Sequence, residues 1–196
     1  MSLDWTPVTV EGVTVREIPD AELWSTTLGD ATAETIVEET AWEGAAAAPE
    51  SARAMLERWI ESGAWVLGLY RDAALIGLFD IGRFASWAEA TGEAPDGAGD
   101  LLAEASDRGA ERVHLTLWFA IRAAARGTVP GAVFAALSTA FVRQLWDQGI
   151  RRMVTVHMHN LGEGRAHAAT VERYGWRTHS RRGLAEIKVK RLERRP

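Results

Sequence analysis

The sequence predicts a single α/β domain, and three observations carry that expectation. At 196 residues, with 47% hydrophobic and 25% charged side chains, the chain is long enough for one sizeable core and short for two. Short apolar runs bounded by turn residues alternate with segments whose apolar residues recur at helical spacing. No internal repeat or low-complexity linker interrupts the pattern, so residues 1–196 are read as one unit.

The elements follow in order. The opening "VTVEGVTVREI" alternates as a strand does, and Pro19 with Asp20 then starts helical sequence. Between Ala21 and Gly63 the pattern is helical in at least two pieces, broken at "GAAAAPE". In the second piece Met55, Leu56, Trp59 and Ile60 share a face, Pro49 suits the first turn, and Gly63 suits the C-terminal stop. The apolar runs "AWVLGLY" and "ALIGLFDIG", separated by "RDA", have the spacing of an antiparallel hairpin. Residues 85–110, with "EATGEAPDGAGD", are rich in Gly, Ala and acidic residues and are expected to form an insertion or mobile loop. Then "RVHLTLWFAI" reads as a long strand and "PGAVFAALSTAFVRQLWDQG" as a helix closed by Gly149. The segment "RRMVTVHMH" reads as a strand, "EGRAHAATVERYG" as a helix closed by Gly175, and "WRTHSRRGLAEIKVKRL" as a final hairpin. The expected order is β, α, α, β, β, β, α, β, α, β, β.

Composition narrows the chemistry. With no cysteine, disulfides, thiolate metal sites and a cysteine nucleophile are excluded. The start "MSLDWTPVTV" lacks the pattern of a secretory leader and no apolar run is long enough to span a bilayer, so a soluble cytoplasmic protein without membrane contact is expected. The net charge of −5 hides a division. Residues 1–98 carry 18 acidic and 5 basic side chains, and 99–196 carry 9 acidic and 17 basic, so the halves stand at −13 and +8. They would favour ligands of opposite sign, although solvated helix faces account for such a bias equally well. Trp59, Trp118, Trp146 and Trp176 sit in apolar runs that read as core, and the basic tail "IKVKRLERRP" is short. Direct nucleic-acid binding is therefore not expected, and the oligomeric state, a homodimer included, stays open.

The stretch "IRAAARGTVPGA" at 121–132 lies between a strand and a helix. The first amides of a helix have no intrahelical acceptor, the helix dipole places partial positive charge there, and glycine lets an anion approach the backbone. Arg122 and Arg126 add formal positive charge. The segment fits neither GxxxxGK[ST] nor GxGxxG, which points to a pyrophosphate held mainly by backbone amides rather than to an ordinary nucleotide loop.

At this point the chain resembles the GNAT superfamily of N-acyltransferases, whose acyl-coenzyme A loop reads V-x-P-x-x-[RQ]-G-x-G-x-[GA]. In "IRAAARGTVPG", Ile121 stands at the V, Arg126 and Gly127 at the RG, and Gly131 at the last small position. Downstream, "TVHMHN" is similar to the family's V-x-x-x-N strand ending, with Val156 and Asn160, and "VERYGW" to Y-E-x-x-G-F, with Gly175 and Trp176. Upstream, "VLGLYRDAALIGLFDI" resembles the strand pair written dg-x-x-iG. The resemblance implies a mixed, mostly antiparallel twisted sheet flanked by helices, with parallel fourth and fifth strands splayed to admit pantetheine. It implies that acetyl-CoA, or another acyl-CoA, is the co-substrate. Its pyrophosphate would lie on Arg126, Gly127, Thr128, Val129, Gly131 and Ala132, its pantetheine along Ile121 and Arg122, with Asn160 contributing to the same site.

The acceptor would be a cationic small-molecule or peptide amine drawn by the acidic half, with Glu38, Glu39 and Asp80 as candidate contacts. For the acid that protonates the departing thiolate the family often uses the motif tyrosine, where this chain has Val171. Tyr174, about a turn away on the helix, is the remaining tyrosine candidate, with core packing as its alternative role. In "TVHMHN", His157 and His159 share a strand face, and imidazole suits a base near neutral pH. His159, nearer the strand's end, is preferred over His157, while His114 on the preceding strand could face the same layer. The HxH pair has no clear third ligand, so no metal is expected. Val129 stands at the loop's middle glycine, Pro130 removes an amide donor, and Ala123 stands where proline is common. These departures keep a second reading alongside the enzyme: a catalytically silent module of the same fold that binds acyl-CoA or a protein partner.

Overall fold

The computed structural model describes residues 3–19, 22, 32, 34–36, 49–92, 106–158, 172, 174–182 and 185–196. Two short strands, β1 (Val8–Val10) and β2 (Val13–Glu17), form a hairpin where one continuous strand was expected. Glu11 and Gly12 both take positive φ, 47° and 76°, the requirement of a two-residue type I′ turn. Alternation carries through such a turn unbroken, which is why the segment reads as one strand. The helix α1 (Pro49–Glu61) then precedes the hairpin of β3 (Trp65–Arg71) and β4 (Ala74–Ser86). Strand β4 runs directly into the short helix α2 (Trp87–Thr91). After it come β5 (Arg112–Ile121), a 3-10 turn at Ala123–Ala125, and the long helix α3 (Gly131–Asp147). The chain closes with β6 (Arg152–Met158), β7 (Arg177–Arg182) and β8 (Ala185–Arg191).

The eight strands form one sheet in the order β1-β2-β3-β4-β5-β6-β8-β7, antiparallel throughout except for the parallel pair β5 and β6. The expected mixed, mostly antiparallel sheet with one parallel pair is thus present. Because the opening strand is a hairpin, the parallel pair is fifth and sixth in the chain rather than fourth and fifth.

Each face of the sheet buries a helix. Val133, Leu137, Phe141 and Leu145 of α3 pack on Val13, Val15, Trp65, Leu67 and Phe79. On the opposite face Ala52 and Leu56 of α1, with the half-buried Met55, Trp59 and Ile60 expected there, pack on Val66, Leu78 and Ile81. A third cluster joins Ala85, Trp87 and Ala90 to Val113, Leu115, Val154, Ile187 and Val189. Residues 85–92, read from sequence as part of an insertion or mobile loop, therefore belong to the packed domain. Ser86 caps α2 in a capping box with Glu89, and the Trp87 side chain is fully buried. Residues 93–105, which hold "EAPDGAGD", lie outside the described residues.

The β3–β4 turn carries a local cost. Asp72 and Ala73 hold φ at 49° and 66°, the left-handed region that glycine enters freely and alanine does not. Ala73→Gly is expected to stabilise the fold by about 1 kcal/mol, read as a rise in denaturation midpoint at unchanged slope. A lower midpoint would mean that the turn conformation is not the one described.

Candidate functional site

The parallel pair separates along its length. Strands β5 and β6 pair only at His114 with Met153, Leu115 with Val154 and Thr116 with Thr155, although β5 continues to Ile121 and β6 to Met158. Each is held past that point by its outer neighbour. β5 stays on β4 out to the Gly77–Ile121 pair, and β6 stays on β8 out to Met158 with Ala185. The result is a V-shaped fork whose last closed rung is Thr116 and Thr155. The strand β5 registers the change in its own burial. Val113, His114 and Leu115 are buried, and Thr116 through Phe119 are half-buried. A register shift on the β4 side, where Ile81 faces Trp118 and Gly82 faces Thr116, adds one residue to β5 at the fork.

The open end of the fork leads into the segment 121–132. Arg122 N–H bonds to Ile76 O at 3.0 Å, tying the end of β5 to β4. The loop then turns through Gly127 at φ 73° and reaches Pro130, the N-cap of α3, which offers no side-chain cap. The first intrahelical bond at this end is Phe134 N–H to Pro130 O, at 3.1 Å, so the amides of Gly131, Ala132 and Val133 precede it. Gly131 and Ala132 are exposed. A Cβ built on Gly131 or on Gly127 would meet nothing within 4 Å, so the protein's own packing leaves this space clear. An uncapped helix start with clear space over its glycines fits an anion.

The basic groups around it are held in place. Arg126 Nε donates to Ile121 O at 3.1 Å, and Arg122 pairs with Glu34 at 3.3 Å. Arg71 at the end of β3 donates to Thr128 O at 3.1 Å. Arg71 brings a third cation to the loop that sequence reading missed, because only the strand pairing carries it there. Val129 packs against the first core cluster beside α3.

Deeper, at the closed end of the fork, lies a polar cluster in the sheet interior. Asp80 on β4 is 2% exposed, and its oxygens accept from Trp65 Nε1 at 2.9 Å and face His114 Nε2 at 3.2 Å. His114 is fully buried, stacks on Trp65 with centroids 5.3 Å apart, and places Nε2 3.1 Å from Thr116 Oγ1. Its Nδ1 is buried and has no hydrogen-bond partner among the described residues. A register shift in β4 between Leu78 and Ile81 breaks period-two alternation, which turns Phe79 and Asp80 to the same side. Asp80 was read from sequence as an acceptor contact in the acidic half. The structure instead places its carboxylate inside the sheet, engaged by Trp65 and His114. Across β6, Lys188 is fully buried and bonds Glu172 at 3.0 Å and Glu186 at 3.4 Å, while Thr178 donates to Glu186. Burial also draws the Lys190 ammonium below the ordinary lysine range.

Gly82 makes the buried cluster sterically feasible. A Cβ there would collide with the His114 imidazole and lie 2.6 Å from Asp80 Oδ2. Gly82→Ala is expected to displace His114 and destabilise the protein by about 1–3 kcal/mol through overpacking. An unchanged melting temperature and unchanged His114 resonances would contradict the described packing.

Of the other residues singled out by sequence, Tyr174 is 41% exposed, its ring edge-on to Phe134 of α3 at 6.4 Å, so it does not pack as core. His159, Asn160, Glu38 and Glu39 lie outside the described residues. Among the described residues no group of three or more His, Asp or Glu is arranged to hold a metal ion. Among them, too, no helix is long and apolar enough to cross a membrane.

With this geometry in hand, the fold can be compared with known proteins. No family model and no curated protein matches the sequence. Solved structures do match. An acetyltransferase of the GNAT family from Listeria monocytogenes superposes with a TM-score of 0.58 at 14% identity, covering 95% of this chain and 100% of that one. The fold is that of the GNAT acetyltransferases. The PaiA N-acetyltransferase from Thermoplasma acidophilum, solved in complex with coenzyme A, gives a TM-score of 0.58 at 14% identity over 91% of this chain and 98% of its own. FeeM, an N-acyl amino acid synthase from uncultured soil microbes, gives 0.61 at 12% identity over 95% and 92%.

Proposed function

We infer that the protein is an acyl-CoA-dependent N-acyltransferase that moves an acyl group, acetyl in the simplest case, to a cationic primary amine. One observation carries the reading: the fork between β5 and β6 leads into an exposed, uncapped helix start flanked by Arg71, Arg122 and Arg126. The amides of Gly131 and Ala132, with Gly127, Thr128 and Val129 shaping the turn, would hold the pyrophosphate. The part of β5 beyond its last rung with β6 would pair with pantetheine as a strand pairs with its neighbour.

The reaction follows from the groups available. The ammonium loses a proton, the neutral amine attacks the thioester carbonyl, the C–N bond forms and the C–S bond breaks. The second nitrogen proton leaves with the thiol. No cysteine exists to carry the acyl group, which favours direct transfer in a ternary complex. His159 and Tyr174 remain the proposed proton-transfer candidates, and the −13 charge of residues 1–98, with Glu38 and Glu39, favours a cationic acceptor.

The absence of cysteine also makes the test clean. Thiol released from acetyl-CoA can be read with a disulfide dye without protein background across polyamines, amino sugars and lysine peptides. Cationic amines should outperform neutral ones, and salt should shrink the advantage. Pro130 at the N-cap, which removes one amide from the loop, favours the second reading of a silent binding module. Coenzyme A binding without thiol release for any amine would select it.

A further inference from the structure

The buried polar cluster at the closed end of the fork is not needed for the fold class, and burying it carries a cost. Asp80, His114 and Trp65 occupy the sheet face beneath α3 beside the apolar first cluster, with Phe141 edge-on to the imidazole at 5.4 Å. Replacing such a set by apolar residues of like volume is often neutral or stabilising. What distinguishes it is its outlet: among the described residues, the other side chain bonded to the His114 imidazole is Thr116, the last closed rung of the fork.

The hydrogens can be placed by elimination. A carboxylate only accepts, so the His114 nitrogen 3.2 Å from Asp80 carries the hydrogen, and among the described residues Nδ1 has no partner to donate to. The same Nε2–H lies 3.1 Å from Thr116 Oγ1, which therefore accepts from it. A hydroxyl that accepts from the imidazole is left to donate its own hydrogen elsewhere. On the strand, elsewhere is the fork. Thr116 is where β5 passes from buried to half-buried, and from Thr116 to Ile121 the strand spans about 17 Å at ordinary rise, the scale of an extended pantetheine arm.

We propose that Thr116 is a hydrogen-bond donor to the thioester carbonyl oxygen of the bound acyl-CoA, with Asp80 and His114 as positioning residues that fix its hydroxyl as a donor. The inference rests on the acyltransferase reading. As the amine adds, the carbonyl π electrons move onto oxygen, and a donor already aimed there stabilises that charge without reorganising. No proton changes owner at Thr116. When the C–S bond breaks, the electrons return and the carbonyl re-forms.

The test uses acetyl-CoA labelled with carbon-13 at the acyl carbonyl, bound to the full chain, with the carbonyl stretch read by infrared difference spectroscopy and affinity by calorimetry. The wild type should lower the stretching frequency relative to free acetyl-CoA. Thr116→Val should abolish the shift with little change in affinity, and Thr116→Ser should keep it. His114→Phe, which preserves a ring in the stack, should weaken the shift, and adding it to Thr116→Val should change nothing more. With an acceptor amine, Thr116→Val should lower kcat by about a hundredfold at nearly constant KM. Acetyl-CoA binding with the same carbonyl frequency in wild type and Thr116→Val would overturn the proposal and leave the acyltransferase reading standing. No binding of acetyl-CoA to the wild type would overturn both, and calorimetry alone identifies that case.

Discussion

Gly131→Asp is expected to weaken coenzyme A binding by roughly tenfold or more, because it sets a carboxylate and its bulk over the helix start where the pyrophosphate would rest. The same substitution should leave the fold untouched. A Cβ at Gly131 meets nothing within 4 Å, its backbone is not in the left-handed region, and an acidic residue in the first turn of a helix is mildly stabilising. Gly131→Ala separates the two effects, since it adds a methyl without charge. Titration of both variants by calorimetry, beside thermal melts, makes the comparison. Unaltered affinity in a folded Gly131→Asp protein would move the anion site away from α3.

The largest stability effect is expected at Trp87. Its ring is fully buried in the third cluster, with the Arg152 guanidinium 4.9 Å from its centroid and His179 5.3 Å away. Trp87→Ala removes that volume from a site closed on one side by the sheet, and costs about 3–5 kcal/mol. For a chain of this size that lowers Tm by roughly 6–20 °C. A loss of only a degree or two would mean that 85–92 is peripheral, as its composition suggests from sequence.

Trp87 also shows where sequence reading stops. Residues 85–92 sit beside "GEAPDGAGD" and share its small and acidic character, and only the capping box at Ser86 and Glu89 marks a helix there. Elsewhere the periodicities carried through: α1, α3 and the two long hairpins fall where apolar spacing and the glycines at 63 and 149 place them, while the helix expected to end at Gly175 falls largely outside the described residues. The uncapped helix start was legible as well, because a strand, a glycine-bearing loop and the start of α3 are contiguous in sequence. The polar cluster was not. Asp80 reads as one more acidic residue of the first half, since its inward turn depends on register shifts in β4 that no local pattern announces. His114 is visible on its strand, but its partners Trp65 and Asp80 come from β3 and β4, and Thr116 gains meaning only because pairing with β6 stops there. Arg71 was missed for the same reason: it reaches Thr128 across 57 residues of sequence.

These placements converge on one claim, that the fork and the uncapped start of α3 together receive an acyl-CoA. Calorimetric titration of the full chain with coenzyme A and with acetyl-CoA tests it most directly. Saturable one-to-one binding in the micromolar range, weakened by Gly131→Asp and by added pyrophosphate, is the expected result. Absence of binding by either ligand to the folded protein would contradict the account.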